Sequence, residues 1–158
     1  MTPLVSNLWP QFMVDPAFAA CFGQVIVEHA QMLRQERQVI FTLRSGAPLD
    51  KNLCARLLAS LQPDYEGFEL RIQNLFGYAM LDEAALRDLM EEMKRDGVPI
   101  NGFLDRCKIN IIGQKITIGV CHGTKFLQEM HFEKLLAERI AAHTGVTPQV
   151  TLRSEEHT

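Results

Sequence analysis

The chain has 158 residues, 47% apolar and 22% charged, which suits one ordinary domain or two small ones and excludes an intrinsically disordered chain. Sixteen Lys and Arg against nineteen Asp and Glu give a formal net charge of −3. That excludes the strongly basic footprint of a sequence-independent phosphate binder, while leaving room for a local basic face. Cys21, Cys54, Cys107 and Cys121 are widely spaced without a Cys-x-x-Cys, and read as buried free thiols in a reducing compartment. A basic-then-apolar leader pattern and a bilayer-length apolar run are both lacking, so the expected location is cytoplasmic, with no membrane partner.

In chain order, residues 1–15 mix Pro with scattered large apolar groups, including Trp9. Asp15-Pro16 is a helix start, Asp at the cap and Pro at the first helical position, for a short helix that ends at Gly23. The stretch from Gln24 to Leu33 and the alternating Val39–Leu43 read as a hairpin around the polar turn 34–37. Leu53, Leu57 and Leu61 recur at steps of four and predict an amphipathic helix over 49–61. Phe68, Leu70 and Ile72 alternate on one face of a strand over 67–74.

A helix is expected from Asp82-Glu83, with Leu86, Leu89, Met90 and Met93 as its apolar stripe and Lys94-Arg95 in its last turn. Its carboxylate-rich face reads as a solvated face. Gly97-Val98-Pro99 breaks it, and Ile100–Cys107 is expected to form a second short helix. Ile109 and Ile111, then Ile116, Ile118 and Val120, alternate around Gly113-Gln114 as a second hairpin. One long helix is expected from Thr124, with Phe132, Leu136 and Ile140 as its stripe and Gly145 as its stop, followed by an edge strand from Pro148 to Leu152. The order strand, strand, helix, strand thus occurs twice. The expected class is α+β, with a first domain over 1–78, a second over 79–153, and 154–158 as the start of a linker or the end of the piece.

The chemistry-bearing residues do not form a catalytic constellation. Gly119-Val-Cys-His-Gly123-Thr124-Lys125 places three residues between its glycines and Thr before Lys. A phosphate-binding loop needs four and the reverse order, so a strand-to-helix turn is the better reading. Cys107, Cys121, His122 and His131 lack the paired spacing of a zinc site. Cys121 and His122, as neighbours on an extended strand, would point apart, which argues against a nucleophilic pair. Asp82-Glu83 and Glu91-Glu92 diverge by roughly 100° around a helix. No Asp-x-Asp suited to two-metal phosphoryl transfer occurs. A small enzyme using Cys121 or His122 is the weakest of the three functional readings.

Arg106, Lys108, Lys115 and Lys125 gather around the second hairpin, and between residues 95 and 125 five basic groups face two acidic ones. They are the candidate basic face for a nucleic acid or a protein partner. Single-strand-binding modules use such faces but add exposed aromatics, and this hairpin has none. A strand face blunted by lysines against edge pairing explains the same pattern.

The run from Asp82 through Leu152, with its acidic helix start, VPINGFLDRC, the KINIIGQKITI hairpin, the long helix and the closing strand, resembles the second N-terminal domain of the PolC-type DNA polymerase III α subunit of low-GC Gram-positive bacteria. Phe22-Gly23 through Asn74 is similar to the first N-terminal domain of that family. The resemblance implies a K-homology-like second domain, similar to the α-binding domain of the clamp-loader τ subunit. It implies a piece of a magnesium-dependent, template-directed polymerase with 3′–5′ proofreading, cut before the regions that carry those activities. This segment would then hold no catalytic residue, no cofactor and no small-molecule substrate. Its expected role is docking to the τ subunit or another replisome protein; the alternative is a module for single-stranded or primer–template DNA. A working K-homology site clamps the nucleic-acid backbone with Gly-x-x-Gly. Neither Gly97-Val-Pro-Ile-Asn-Gly102 nor Ile112-Gly113-Gln114-Lys115 fits, which puts protein contact in front.

Overall fold

A computed structural model describes residues 3–100 and 102–155. The architecture is α+β, with two three-stranded sheets, and the chain separates into two compact units, Met1–Met80 and Leu81–Thr158. No helix among the described residues is long and apolar enough to cross a membrane.

In the first unit, the short helix α1 (Val5–Leu8) leads through a 3-10 turn at Pro10–Val14 to α2 (Pro16–Phe22). Asp15 caps α2 by accepting from Ala17 N at 2.8 Å, with Pro16 in the first turn, where its missing N–H is harmless. Strands β1 (Ile26–Leu33) and β2 (Gln38–Arg44) form an antiparallel hairpin with a bulge between Val27 and His29. Helix α3 (Lys51–Leu61) starts at Asp50, whose carboxylate accepts from Asn52 N and Leu53 N. Strand β3 (Glu69–Leu75) then pairs parallel with β2, giving the order β1-β2-β3. Val39, Phe41 and Leu43 of β2 meet Phe18, Phe22, Leu57, Leu61 and Leu70 in one core. Asn74, at the end of β3, accepts from Leu49 N at 2.9 Å and donates to Ser45 Oγ at 2.9 Å, so it fastens the loop that enters α3.

The second unit opens with α4 (Glu83–Arg95), capped by Asp82, which accepts from Ala85 N at 2.8 Å. Asp96 closes it and Gly97 follows at φ 94°, the left-handed conformation that glycine adopts at little cost. The short helix expected over Ile100–Cys107 is not formed; Asn101 lies outside the described residues. Separate three-residue turns run instead, from Phe103 N to Ile100 O, Asp105 N to Gly102 O and Cys107 N to Leu104 O. The segment is too short to propagate a helix and carries Gly102, and its last carbonyl is drawn off by Arg87, whose Nη2 donates to Cys107 O at 2.8 Å.

Strands β4 (Lys108–Ile112) and β5 (Lys115–Val120) form the second hairpin. Of its two turn residues only the first, Gly113, has positive φ, as a type II′ turn requires. Strand β6 (Gln149–Ser154) pairs parallel with β5, giving β4-β5-β6. The expected long helix is two: α5 (Thr124–Glu129) and α6 (Phe132–Thr144), parted at Met130-His131, with His131 at φ 59°. The reason lies in the faces. On an unbroken helix Leu127 and Phe132 would point roughly 140° apart, yet both are fully buried. The break turns each toward the core, at the expense of one non-glycine residue in the left-handed region. Ile116, Ile118, Val150 and Leu152 of the sheet and Leu86, Met93, Phe132, Leu136 and Ile140 of the helices are among the large buried side chains of this unit.

Of the left-handed glycines at helix ends in this unit, Gly123 and Gly145 differ in their surroundings. Gly145, at φ 76°, has open space around it, whereas a Cβ on Gly123, at φ 82°, would lie 2.6 Å from the Phe103 ring. Gly145→Ala is expected to lose about 1 kcal/mol from backbone strain alone. Gly123→Ala should lose clearly more, read as urea midpoints at unchanged slope.

Candidate functional site

Register places the four basic residues of the expected face. Lys108 pairs with Gly119 at one end of the β4–β5 ladder, and Lys115 pairs with Ile112 at the other. They share a face but stand four residues apart along it, roughly 13 Å. Arg106 precedes β4 and Lys125 lies in α5, so both belong to the Lys108 end. The structure therefore brings Arg106, Lys108 and Lys125 to one end of the sheet and leaves Lys115 apart.

Cross-strand partners share a face, so the side of the sheet away from the core carries Lys108, Asn110 and Ile112, then Lys115, Thr117 and Gly119, then Gln149, Thr151 and Arg153. Arg153 is a cation of this face that alternation along the closing strand could have found. A Cβ on Gly119 would collide with the side chain of Glu155, so that acidic side chain lies over the glycine between Lys108 and Arg153. Ile112 is 68% exposed, an apolar tip on an otherwise polar surface.

The thiols are not all buried as expected. Cys107 is buried, Cys21 and Cys54 are half-buried, and Cys121 is exposed in the bend after β5, since the strand ends at Val120. Cys121 and His122 are thus not on an extended strand. Burial pushes the Cys54 thiol up to about 12, with Cys21 and Asp50 nearby adding to the rise. Burial likewise raises Cys21 and Cys107, the latter against the opposing pull of Arg87. These three are protonated near neutrality and so are poor nucleophiles. Among the described residues no three His, Cys, Asp or Glu converge as metal ligands. Thr124 Oγ1 is buried without a hydrogen-bond partner, and the cap of the six-residue α5 is Gly123.

An ionic cluster joins α4 to α6, and the carboxylate face of α4 is therefore not merely solvated. Arg139 Nη1 donates to Asp96 Oδ2 at 2.7 Å and lies 3.5 Å from Glu92 Oε1. His143 Nε2 donates to Glu92 Oε2 at 3.1 Å, and His143 is only 6% exposed. Burial alone would raise the Glu92 carboxyl, but the hydrogen bond from His143 and the positive charges of His143 and Arg139 outweigh it, so Glu92 titrates below the usual carboxylate range. The readable signal was reciprocal spacing: Glu92 and Asp96 on one helix, Arg139 and His143 on the other, each four apart. Nearby, Arg87 donates to Glu83 Oε1 at 2.9 Å and to Cys107 O, which ties α4 to the start of β4. A shallow groove of about 280 Å³ runs beside α4, floored by Met90, Ile100 and Leu104 and rimmed by Arg87, Lys94, Glu91 and Asp105. Its rim mixes both signs and holds no nucleophile.

Compared with protein-family models, with curated proteins and with solved structures, the chain gives no match.

A depressed carboxyl favours the folded state above the unfolded-state range of glutamate, and that contribution is lost as pH falls through the folded value. Unfolding free energy should therefore drop between about pH 6 and pH 3, and less steeply in Glu92→Gln. At neutral pH the same variant removes the carboxylate that Arg139 and His143 contact and should lose about 1–3 kcal/mol. Urea unfolding at a series of pH values reads both effects.

Proposed function

We propose that this chain is a non-catalytic interaction module from the N-terminal region of a PolC-type DNA polymerase III α subunit, docking to replisome proteins such as the clamp-loader τ subunit during DNA replication in the cytoplasm. The observation that carries the reading is the commitment of the charged groups along α4 and α6 to internal contacts. Glu92, Asp96, Arg139 and His143 bind one another, and Arg87 binds Glu83 and the Cys107 carbonyl, while the sheet face opposite the core stays exposed over most of its positions. Such a unit presents surface rather than a reacting group. The order helix, hairpin, helix pair and closing strand, with helices on one face of a mixed sheet, supports a K-homology-like second unit similar to the α-binding domain of τ. No two glycines stand three apart anywhere in the chain, so the backbone clamp of a nucleic-acid-binding K-homology domain has no counterpart here. Magnesium, on this reading, belongs to polymerase and exonuclease regions outside this segment.

Ile112, exposed at the hairpin tip, is the apolar anchor this reading assigns to the contact. Calorimetric titration with the τ subunit of the same organism should give saturable binding, micromolar or tighter, changing little when salt is raised from about 0.05 to 0.3 M. Ile112→Glu should weaken it about tenfold or more at unchanged stability. No heat with τ would sink the docking assignment.

A further inference from the structure

The aromatics missing from the second hairpin stand just beyond its end. Phe103, in the turn segment before β4, has its ring centroid 5.5 Å from that of His122 and 5.5 Å from that of Phe126. The three come from two stretches far apart in sequence, and the Lys108–Gly119 register brings those stretches to the same end of the sheet. Phe103 is half-buried and seated on Gly123, where a Cβ would strike its ring, so it is a fixed pedestal. His122 is exposed and Phe126 is 41% exposed, so both lean on that pedestal with surface turned to solvent. A single exposed phenylalanine is ordinary on a protein surface. Two solvent-facing rings seated on a third, with cations beside them, make a larger feature than one exposed side chain. Lys125 adjoins Phe126, Arg106 and Lys108 follow Phe103, and all three cations are exposed. The nearby acids are Asp105, Glu129 and Glu155, and Glu155 lies over Gly119 on the sheet face.

We propose that Phe126 and His122, backed by Phe103 and flanked by Arg106, Lys108 and Lys125, form a stacking site for single-stranded nucleic acid, one base on each exposed ring and the backbone along the cations. Unpaired bases have free π-faces and a polyanionic backbone, and an aromatic platform with adjacent cations matches both. A duplex hides those faces and fits less well. The site is separate from the hairpin tip assigned to τ and does not depend on that assignment.

The test is fluorescence anisotropy of the full chain with end-labelled oligothymidylate and oligouridylate of about 15 nucleotides at low salt. Both should bind saturably. Phe126→Ala should weaken binding about tenfold and Phe126→Trp should restore it. Arg106→Gln and Lys125→Gln should each flatten the log-affinity against log-salt slope by about 0.7. Phe126 is exposed enough that its variants should keep the wild-type urea midpoint, which separates lost stacking from lost folding. No binding by the wild type, or unchanged affinity in Phe126→Ala, overturns the proposal. So does a Phe126→Ala variant that loses τ in calorimetry when no oligonucleotide binds, since the patch is then a protein contact.

Discussion

Both units depend on one constraint, the parallel pairing of a closing strand with the second strand of a hairpin. A two-residue turn can join antiparallel neighbours, but a parallel neighbour must be reached by a crossover long enough to hold a helix. In the first unit α3 makes that crossing, and in the second α5 and α6 make it together. The crossover helices pack on one side of their sheet, so β2 and β5 become the central strands and carry the densest apolar runs. In the second unit, the residues of the three strands that alternate away from the helices make the outer face. The sheet face and the aromatic end beside it are consequences of that pairing.

The same packing accounts for where the reactive side chains are not. Helices α4 and α6 meet over apolar stripes, and the polar residues at the margin of that contact satisfy one another: Glu92 with His143 and Arg139, Arg139 with Asp96. A half-buried carboxylate needs such partners to remain charged. Arg87 does similar service at the other end of α4, supplying the Cys107 carbonyl with a donor where the chain forms turns instead of a helix. In the first unit Asp15 both caps α2 and pairs with Arg56, which lies 4.7 Å over the Phe18 ring. These are structural uses of residue types that elsewhere do chemistry.

Much of the fold was legible in periodicity. The alternation of Ile109, Ile111, Ile116 and Ile118, the steps of four at Leu53, Leu57 and Leu61, and the caps Asp15 and Asp82 all mark elements where the structure has them. What escaped was anything set by two elements at once. Thr124–Thr144 reads as one helix because local propensity never breaks; the break exists because Leu127 and Phe132 must face the same core. Ile100–Cys107 has helical spacing in its apolar residues but not the length to hold a helix by itself. The basic face was found as a list of charges, yet register decides that Lys115 stands away from Arg106, Lys108 and Lys125. The aromatic cluster was invisible because Phe103 and Phe126 are far apart in the chain and meet only through the Lys108–Gly119 pairing.

On the proposed reading, the second unit docks through its exposed sheet face and hairpin tip, and its charged helix interface is purely structural. Hydrogen exchange of the chain alone and with the τ subunit tests it most directly. Exchange should slow only at the turn 112–115 and the neighbouring edge of the sheet, with amides of residues 83–95 and 132–144 unchanged. Protection centred on those two helices, or none anywhere at saturating τ, would contradict it.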